Sequence, residues 1–558
     1  MISDVKEILR DVIAESLKEC FVSVDNPPSV DIEVPNEKIH GDFSTNIALK
    51  SAKFLKQPPI KLASQFEEVI KQKISRNPLQ NLIEKTEIKA PGFINFFLSK
   101  EAVYSILYDV FAKREAYGNS TVGGDEKYQI EFVSANPTGP LSVAHARQAA
   151  VGDALGNILN ALGFKVSKEY YVNDEGNQIN ILGRSVMHRA LEILGEEVAF
   201  PEEGYQGDYI KDMAQIFLDK NKITQLGQLK EIADEEVRVF SVAYLLDVIK
   251  QDLDDFGVHF DVWSYQSKIS DEKSVLKVLD FLKEKKYLYD KDGAVWFRST
   301  DHGDDKDRVI KKSDGAYTYL TPDIAYHKNK FERGYKKIVN IWGPDHHGYI
   351  PRISAAVQAL GHDADVLRVL IVQLATIYRE GKPISMSTRR GQYISLREVI
   401  DEVGVDAARF FFMLRHINAP LDFDLELAKK ESPENPVYYI QYAHARINSI
   451  IIKAGASDFK PKTSALSLLQ EEEEMDLIKK IGSFTHILYQ CYVEMDPFAL
   501  VNYMLELATL FHKFYDCHKV VDTENPSLSA ERLALIEAVK IVLANGLRLL
   551  GVKAPERM

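Results

Sequence analysis

Glu131-Phe-Val-Ser-Ala-Asn-Pro-Thr-Gly-Pro-Leu-Ser-Val-Ala-His-Ala-Arg-Gln148 reads as a strand, a turn broken by proline and glycine, and a helix whose first turn carries Ser142, Ala144 and His145. The first N–H groups of a helix have no intrahelical partner and sit at the positive end of its dipole, so this junction suits an anion. Small side chains at Ser142 and Ala144 let a nucleotide approach the backbone, and His145 adds a donor for a phosphate or ribose oxygen. A second extended segment, residues 165–172, follows the helix, which makes a βαβ crossover with parallel strands. The pattern recurs as a strand over 337–343, a helix over 349–360 and a strand over 367–377. Two such halves predict an α/β doubly wound nucleotide-binding sheet, with ligands at the carboxyl ends of its strands.

The chain has 558 residues, 45% of them hydrophobic and 27% charged, a globular composition too long for one core and suited to about three or four domains. No run of about 18 apolar residues occurs, and Met-Ile-Ser-Asp-Val-Lys-Glu lacks the basic-then-apolar start of a leader, so a cytoplasmic protein without membrane attachment is expected. Cys20, Cys491 and Cys517 are far apart, which argues against structural zinc and disulfides. The net charge of −13 speaks against indiscriminate nucleic-acid binding but allows a specific RNA partner on a locally basic face.

Three units are expected. Residues 1–118 read as a small N-terminal α+β domain, with a helix over 4–21, a strand near 30–34, a helix start in Gly41–Lys50 capped by Ser44 or Thr45, two further helices, and strands through 83–98. The breaker-rich segment Tyr117–Asp125 is the linker candidate. Residues 119–404 form the doubly wound domain, with a mostly helical insertion at about 180–300. Residues 405–558 read as an all-α bundle, with long amphipathic helices at 435–454, 475–492, 499–518 and 530–550, the last stopped by Gly551.

Asn136-Pro-Thr-Gly-Pro-Leu-Ser-Val-Ala-His145 resembles the first signature of class I aminoacyl-tRNA synthetases, specifically the arginyl-tRNA synthetases, with Ser142 and Ala144 where the family usually has His and Gly. Trp342-Gly-Pro-Asp-His-His-Gly348 resembles the adenosine-binding turn of that family. Taken alone, Asp345-His346-His347 would serve equally as a metal pair or a polar helix start. Ile384-Ser-Met-Ser-Thr-Arg-Arg-Gly391 stands where class I enzymes carry the loop that grips pyrophosphate, with Ser385 and Thr388 in place of lysines. The resemblance implies activation of arginine by ATP carrying Mg²⁺, then transfer to the terminal adenosine of tRNA, with no protein-bound metal and a monomeric enzyme. It also implies ATP contacts at Pro140, Ser142, Ala144, His145, Gly343, Asp345, His346, His347, Met386 and Ser387. Catalysis falls to His145, Ser142 and Arg389.

A guanidinium is matched by fixed carboxylates. Glu131, Ser134, Asn136, His145, Tyr319 and Asp323 resemble the family's arginine pocket. Any one of these acids taken alone is more often an ordinary surface charge. Gly41-Asp-Phe-Ser-Thr-Asn46 and Ala90-Pro-Gly-Phe-Ile-Asn-Phe96 resemble its appended tRNA-binding domain, where Phe93 would stack on a base and Asn95 read its edge, although Phe93 fits a core equally well. Glu434–Arg446 and the ending Gly551–Met558 resemble its anticodon-binding bundle, with Tyr438 and Tyr442 as RNA candidates. Two other readings stay open: a class I synthetase for another amino acid, separated by comparing amino acids in a charging assay, and a non-catalytic tRNA-binding relative, separated by aminoacylation activity. If Arg389 replaces the absent lysine as a transient pyrophosphate clamp, Arg389→Ala lowers the single-turnover rate of adenylate formation and leaves the KM for ATP and arginine nearly unchanged. Arginine activation at the wild-type rate would pass the assignment to Arg390 or Lys382.

Overall fold

Five parallel strands carry the centre of the molecule. In the computed structural model, which describes residues 2–20, 28–35, 37–384 and 393–558, they are β1 (Lys127–Glu131), β2 (Lys165–Val172), β3 (Val262–Tyr265), β4 (Lys337–Trp342) and β5 (Leu367–Ile371). Their order is β5-β4-β1-β2-β3, and each neighbouring pair is parallel. The chain leaves β1 toward β3 and then resumes at β4 on the other side of β1. Strand order therefore reverses between β1 and β4, which opens a crevice at their carboxyl ends. Glu131 closes β1 with Asn340 of β4 opposite it on one side and Glu169 of β2 on the other.

The crossover helix α1 (Val143–Ala161) is buried on nearly every face. Ala146, Ala149, Ala150, Gly152, Ala154 and Gly156 permit that close approach. At Gly152 a side-chain carbon would stand 2.4 Å from the Phe132 ring, so the helix lies on β1 at a distance that any larger residue would increase.

The sequence expectations fail at several boundaries. β3 falls inside the stretch read as an insertion and forms the sheet edge. The helices Asn177–Ile193, Asp208–Lys220 and Asp234–Asp255 have their own core around Leu182, Met213, Phe217 and Leu245. An antiparallel sheet of Leu288–Lys291, Ala294–Phe297 and Arg308–Lys311 follows. The run expected as one strand over 367–377 is two, because the Gln373 amide donates to the Ile417 carbonyl and carries the chain off the main sheet. Ala375–Arg379 then pairs with Leu421–Asp424.

In the N-terminal region the expected strand near 30–34 is a single bridge, Glu33 to Ser44. Ser44 and Thr45 lie in the strand Phe43–Thr45 rather than capping a helix, and the helix Ile47–Leu55 starts after Asn46. Register explains the difference: Phe43 pairs with Phe96 and both rings are buried, a gain larger than one cap. The two hydroxyls bond to Asn95 and the Asp31 carbonyl instead. The helix expected over 475–492 is two, Glu472–Gly482 and Phe484–Glu494, with Ser483 between them. Gly551 ends the last helix, Pro526–Leu550, at φ 69, a left-handed conformation that glycine adopts without cost.

Arg409 joins three parts of the molecule. Fully buried, it donates to the carbonyls of Leu550 and Phe256 at 3.1 Å each and pairs with Asp153 of α1. Lys168 also holds Asp153, at 2.6 Å. Arg409→Met, which leaves Asp153 half compensated, should lower stability by about 3 kcal/mol, the low end for breaking a buried pair. A melting temperature within a degree of wild type would contradict this.

Candidate active site

The turn leaving β1 holds its conformation at a cost. Val133 and Ser134 have φ of 66 and 39, a region that a β-branched residue such as Val133 seldom enters without support from the surrounding fold. The turn places the Ser134 hydroxyl where it donates to Glu131 Oε1 at 3.2 Å and accepts from the Tyr171 amide at 3.1 Å. Downstream, the Tyr209 hydroxyl of the helical insertion donates to the Thr138 carbonyl (2.7 Å), and the Tyr393 hydroxyl to that of Pro140 (3.0 Å). Leu396 and Val143 exchange backbone bonds with Leu141 and Ile394. The chain just after residue 392 thus lies along the start of α1.

At that helix start the Ser142 amide donates to His145 Nδ1 at 3.2 Å. Nδ1 is then the acceptor, so the proton of the neutral ring sits on Nε2. Burial lowers the His145 pKa to about 4, with Asp345 opposing. Asp345 belongs to the second turn, Pro344–Tyr349, whose preceding Gly343 faces the Gln148 side chain of α1. Asp345, His346 and His347 are exposed there, with the His346 ring 5.8 Å from Trp342 at the end of β4.

Below this crevice the helix α2 (Leu320–Glu332) lays a polar face on the sheet. Lys330, with no exposed surface, donates to Glu131 Oε2 at 2.5 Å and to Asn340 Oδ1 at 3.0 Å. The Asn340 amide donates to His327 Nε2 (3.1 Å), and His327 Nδ1 donates to the Asp323 carbonyl (2.8 Å). Arg333 grips Glu169 with two bonds of 2.8 Å. The Asp323 carboxyl accepts from the Tyr349 hydroxyl, and its pKa is raised to about 7. Burial is the main cause, with Glu131 adding and the Tyr349 bond opposing. Among the described residues no cation pairs with Asp323. The arrangement suits a planar cation between Glu131 and Asp323.

Glu131, Ser134 and Asp323 are brought together, and His145 stands at the start of α1 near the Asp345 turn. Asn136 lies at the rim of the crevice, bonded to Gln178 at 2.7 Å. Tyr319 is 79% exposed, and its carbonyl accepts from the Asp323 amide at 3.4 Å. Asn95 is only 2% exposed and accepts from Ser44, so its amide is used inside the fold and does not present an edge to RNA. Phe93 is half-buried. Met386, Ser387 and Arg389 lie outside the described residues. Tyr438 and Tyr442 stack with centroids 6.1 Å apart, and Tyr442 lines a cleft of about 980 Å³ with Arg446, Lys453, Tyr515, Lys519 and Arg557. The Arg446 guanidinium covers both the Tyr442 and Tyr515 rings.

Sequence reasoning missed Lys330, Tyr349 and Arg446. The spacing of Asp323, His327 and Lys330, i, i+4 and i+7, is the signal that would have placed all three on one helix face. Among the described residues no group of three or more His, Cys, Asp or Glu is placed to hold a metal, and no helix is long and apolar enough to cross a membrane.

Three family models match the chain: an arginyl tRNA synthetase N terminal domain over residues 7–98, a class I (R) tRNA synthetase catalytic domain over 107–421, and a DALR anticodon binding domain over 440–558. The arginine–tRNA ligase of Citrifermentans bemidjiense is 44% identical, covering 99% of this chain and 100% of that protein. That of Bacillus subtilis is 43% identical over the whole of both chains. A Campylobacter jejuni structure described as an arginyl tRNA synthetase superposes with a TM-score of 0.75 at 35% identity, covering 83% of this chain and 100% of that one. The Thermus thermophilus arginyl-tRNA synthetase shares the fold, with a TM-score of 0.76 at 22% identity over 99% of this chain and 100% of that one.

With its pKa near 4, His145 should remain neutral, protonated on Nε2, from pH 5.5 to 8. Nitrogen NMR of histidine-labelled protein reads this directly. A titration of His145 centred near 6.5 would contradict the assignment.

Proposed function

The chain belongs to the arginyl-tRNA synthetase family, and from that premise we propose how its residues divide the work. It is an ATP-dependent class I aminoacyl-tRNA ligase that charges tRNA with arginine. In our reading Glu131 and Asp323 receive the guanidinium from two sides, while Ser134, Asn136 and His145 orient the amino-acid head and Tyr319 covers the pocket. ATP lies across the switch point, its phosphates at the start of α1 beside Pro140, Ser142, Ala144 and His145 and its adenosine against Gly343, Asp345, His346 and His347. Met386, Ser387 and Arg389 serve the same substrate from the segment that follows Ile384.

Arginine's carboxylate oxygen then attacks the α-phosphorus in line, and the bond to pyrophosphate breaks. A ribose hydroxyl of the terminal tRNA adenosine next attacks the adenylate carbonyl, and AMP leaves. No side chain forms a covalent bond. Positioning and charge supply the catalysis: the helix terminus and the neutral His145 donor face phosphate oxygens, and Mg²⁺ carried by ATP offsets their charge. Residues 1–118 take the outer corner of the tRNA through Phe93. The cleft of Tyr442, Arg446 and Tyr515 takes unpaired anticodon bases by stacking, with Tyr438 supporting Tyr442. A cytoplasmic monomer fits this reading.

The single observation that carries it is the pair of carboxyls, buried Glu131 and half-buried Asp323, at the reversal of the sheet. Asp323, with its pKa near 7, is largely protonated in the empty pocket at lower pH, whereas a bound guanidinium requires it ionised. Binding therefore releases a proton, and affinity is lost as pH falls through 7. The arginine KM should rise toward tenfold per pH unit below about 7, while the KM for ATP stays flat. Asp323→Asn should raise the arginine KM by about one to two decades, the worth of one charge-assisted bond, and abolish its pH dependence. A wild-type arginine KM constant from pH 5.5 to 7.5 would remove Asp323 from the pocket.

A further inference from the structure

We propose that Lys330 is a specificity-determining residue of the amino-acid pocket: its buried ammonium neutralises and orients Glu131, leaves Asp323 as the pocket carboxyl that has no cation partner among the described residues, and so sets the pocket to accept one guanidinium. The inference rests on the reading of Glu131 and Asp323 as the guanidinium partners.

Lys330 has no exposed surface. It touches Glu131, Asn340 and the Tyr326 ring, over which it sits at 4.3 Å. An ion pair taken out of water is seldom a net gain in stability, and an apolar residue of the same volume would fill this position at lower cost. What the ammonium adds is charge and direction. It occupies Oε2 of Glu131, and among the described residues Oε1 accepts only from Ser134, so that oxygen retains a lone pair for the crevice.

The charges in this buried layer can be counted. The groups facing Asp323 and Glu131 are Glu169 and Tyr171 of β2, Tyr326, His327, Lys330 and Arg333 of the α2 segment, and Tyr349 with Arg352 beyond β4. Arg333 cancels Glu169, and Lys330 cancels Glu131. His327 is held neutral, since burial and Lys330 keep its pKa near 3. Arg352 lies over the Tyr349 ring, 5.5 Å from its centre, and the Tyr349 hydroxyl is what meets Asp323. Asp323, when it ionises, is then the acid of this layer with no ion-pair partner among the described residues, and one guanidinium supplies that partner. Without Lys330 two carboxyls would face each other uncompensated, and one would take up a proton that arginine must then expel. The bonds from Lys330 through Asn340 and His327 to the Asp323 carbonyl further tie the two acids to one frame.

The test uses the full-length enzyme with tRNA, comparing Lys330→Met, Lys330→Gln, Lys330→Arg, Glu131→Gln and the double variant Lys330→Met/Glu131→Gln. Arginine and ATP KM are read in charging assays, and protons released on arginine binding by calorimetry in two buffers. Lys330→Met should raise the arginine KM about tenfold or more with the ATP KM within about twofold, and arginine should displace more protons than from wild type. Lys330→Arg should restore the KM to within about threefold, and the double variant should be no worse than Glu131→Gln alone. Lys330→Gln, which keeps hydrogen bonds and loses the charge, decides the matter if the methionine variant does not fold: it should show the same arginine-specific rise. An unchanged arginine KM in the Gln or Met variant, with Glu131→Gln impaired, overturns the role of Lys330. So does a parallel loss for ATP and arginine with normal proton release, the signature of a structural role. If Glu131→Gln and Asp323→Asn both leave the arginine KM unchanged, the pocket reading fails instead.

Discussion

A carboxylate taken out of water costs several kcal/mol unless a cation and hydrogen bonds replace the solvent, and three of them crowd the carboxyl ends of β1 and β2 and the start of α2. Glu131 and Glu169 each receive a cation from the α2 segment, Lys330 and Arg333. Asp323 receives none among the described residues, only the Tyr349 hydroxyl. That imbalance gives the crevice its chemistry. It also dictates local structure: α2 must turn its Asp323, His327 and Lys330 face to the sheet, and the β1 exit must hold Val133 and Ser134 in left-handed conformations to aim the serine hydroxyl.

The same geometry couples the crevice to distant parts of the chain. Helix α1 begins beside the crevice, and Asp153 in its interior meets Arg409, which also holds the carbonyl of Leu550. Beyond that carbonyl the terminal segment packs on the helix Pro436–Gly455, where His444 and Asn448 bond the carbonyls of Pro555 and Glu556, and Arg557 reaches the aromatic cleft. A single covalent and hydrogen-bonded frame thus links the crevice at the carboxyl ends of β1 and β4 to the cleft lined by Tyr442, Arg446 and Arg557.

Much of this was legible in the residues. The strand, turn and helix at Glu131–Gln148, its repetition near Trp342, and Gly551 as a stop signal all express backbone rules that local sequence carries. What was not legible depends on partners remote in sequence. Ser44 and Thr45 have the chemistry of caps, but Phe43 pairing with Phe96 draws them into a strand. Asn95 follows an aromatic-rich turn suited to RNA, yet the Ser44 hydroxyl, 51 residues away, claims its side chain. Lys330 sits among lysines that look like a solvated helix end, and only the sheet beneath it reveals a buried ammonium. Tyr349 has the sequence context of a helix start, and nothing local shows Asp323 opposite its hydroxyl.

The central claim is that the crevice selects its amino acid by charge, through carboxyls kept from water. Citrulline keeps the length and planarity of arginine but carries a neutral urea where arginine has a guanidinium, so comparing the two in tRNA charging isolates that term. Loss of two charge-assisted hydrogen bonds of roughly 1.5–3 kcal/mol each predicts a kcat/KM for citrulline lower by about 10² to 10⁴. Charging of citrulline within tenfold of arginine would contradict the account.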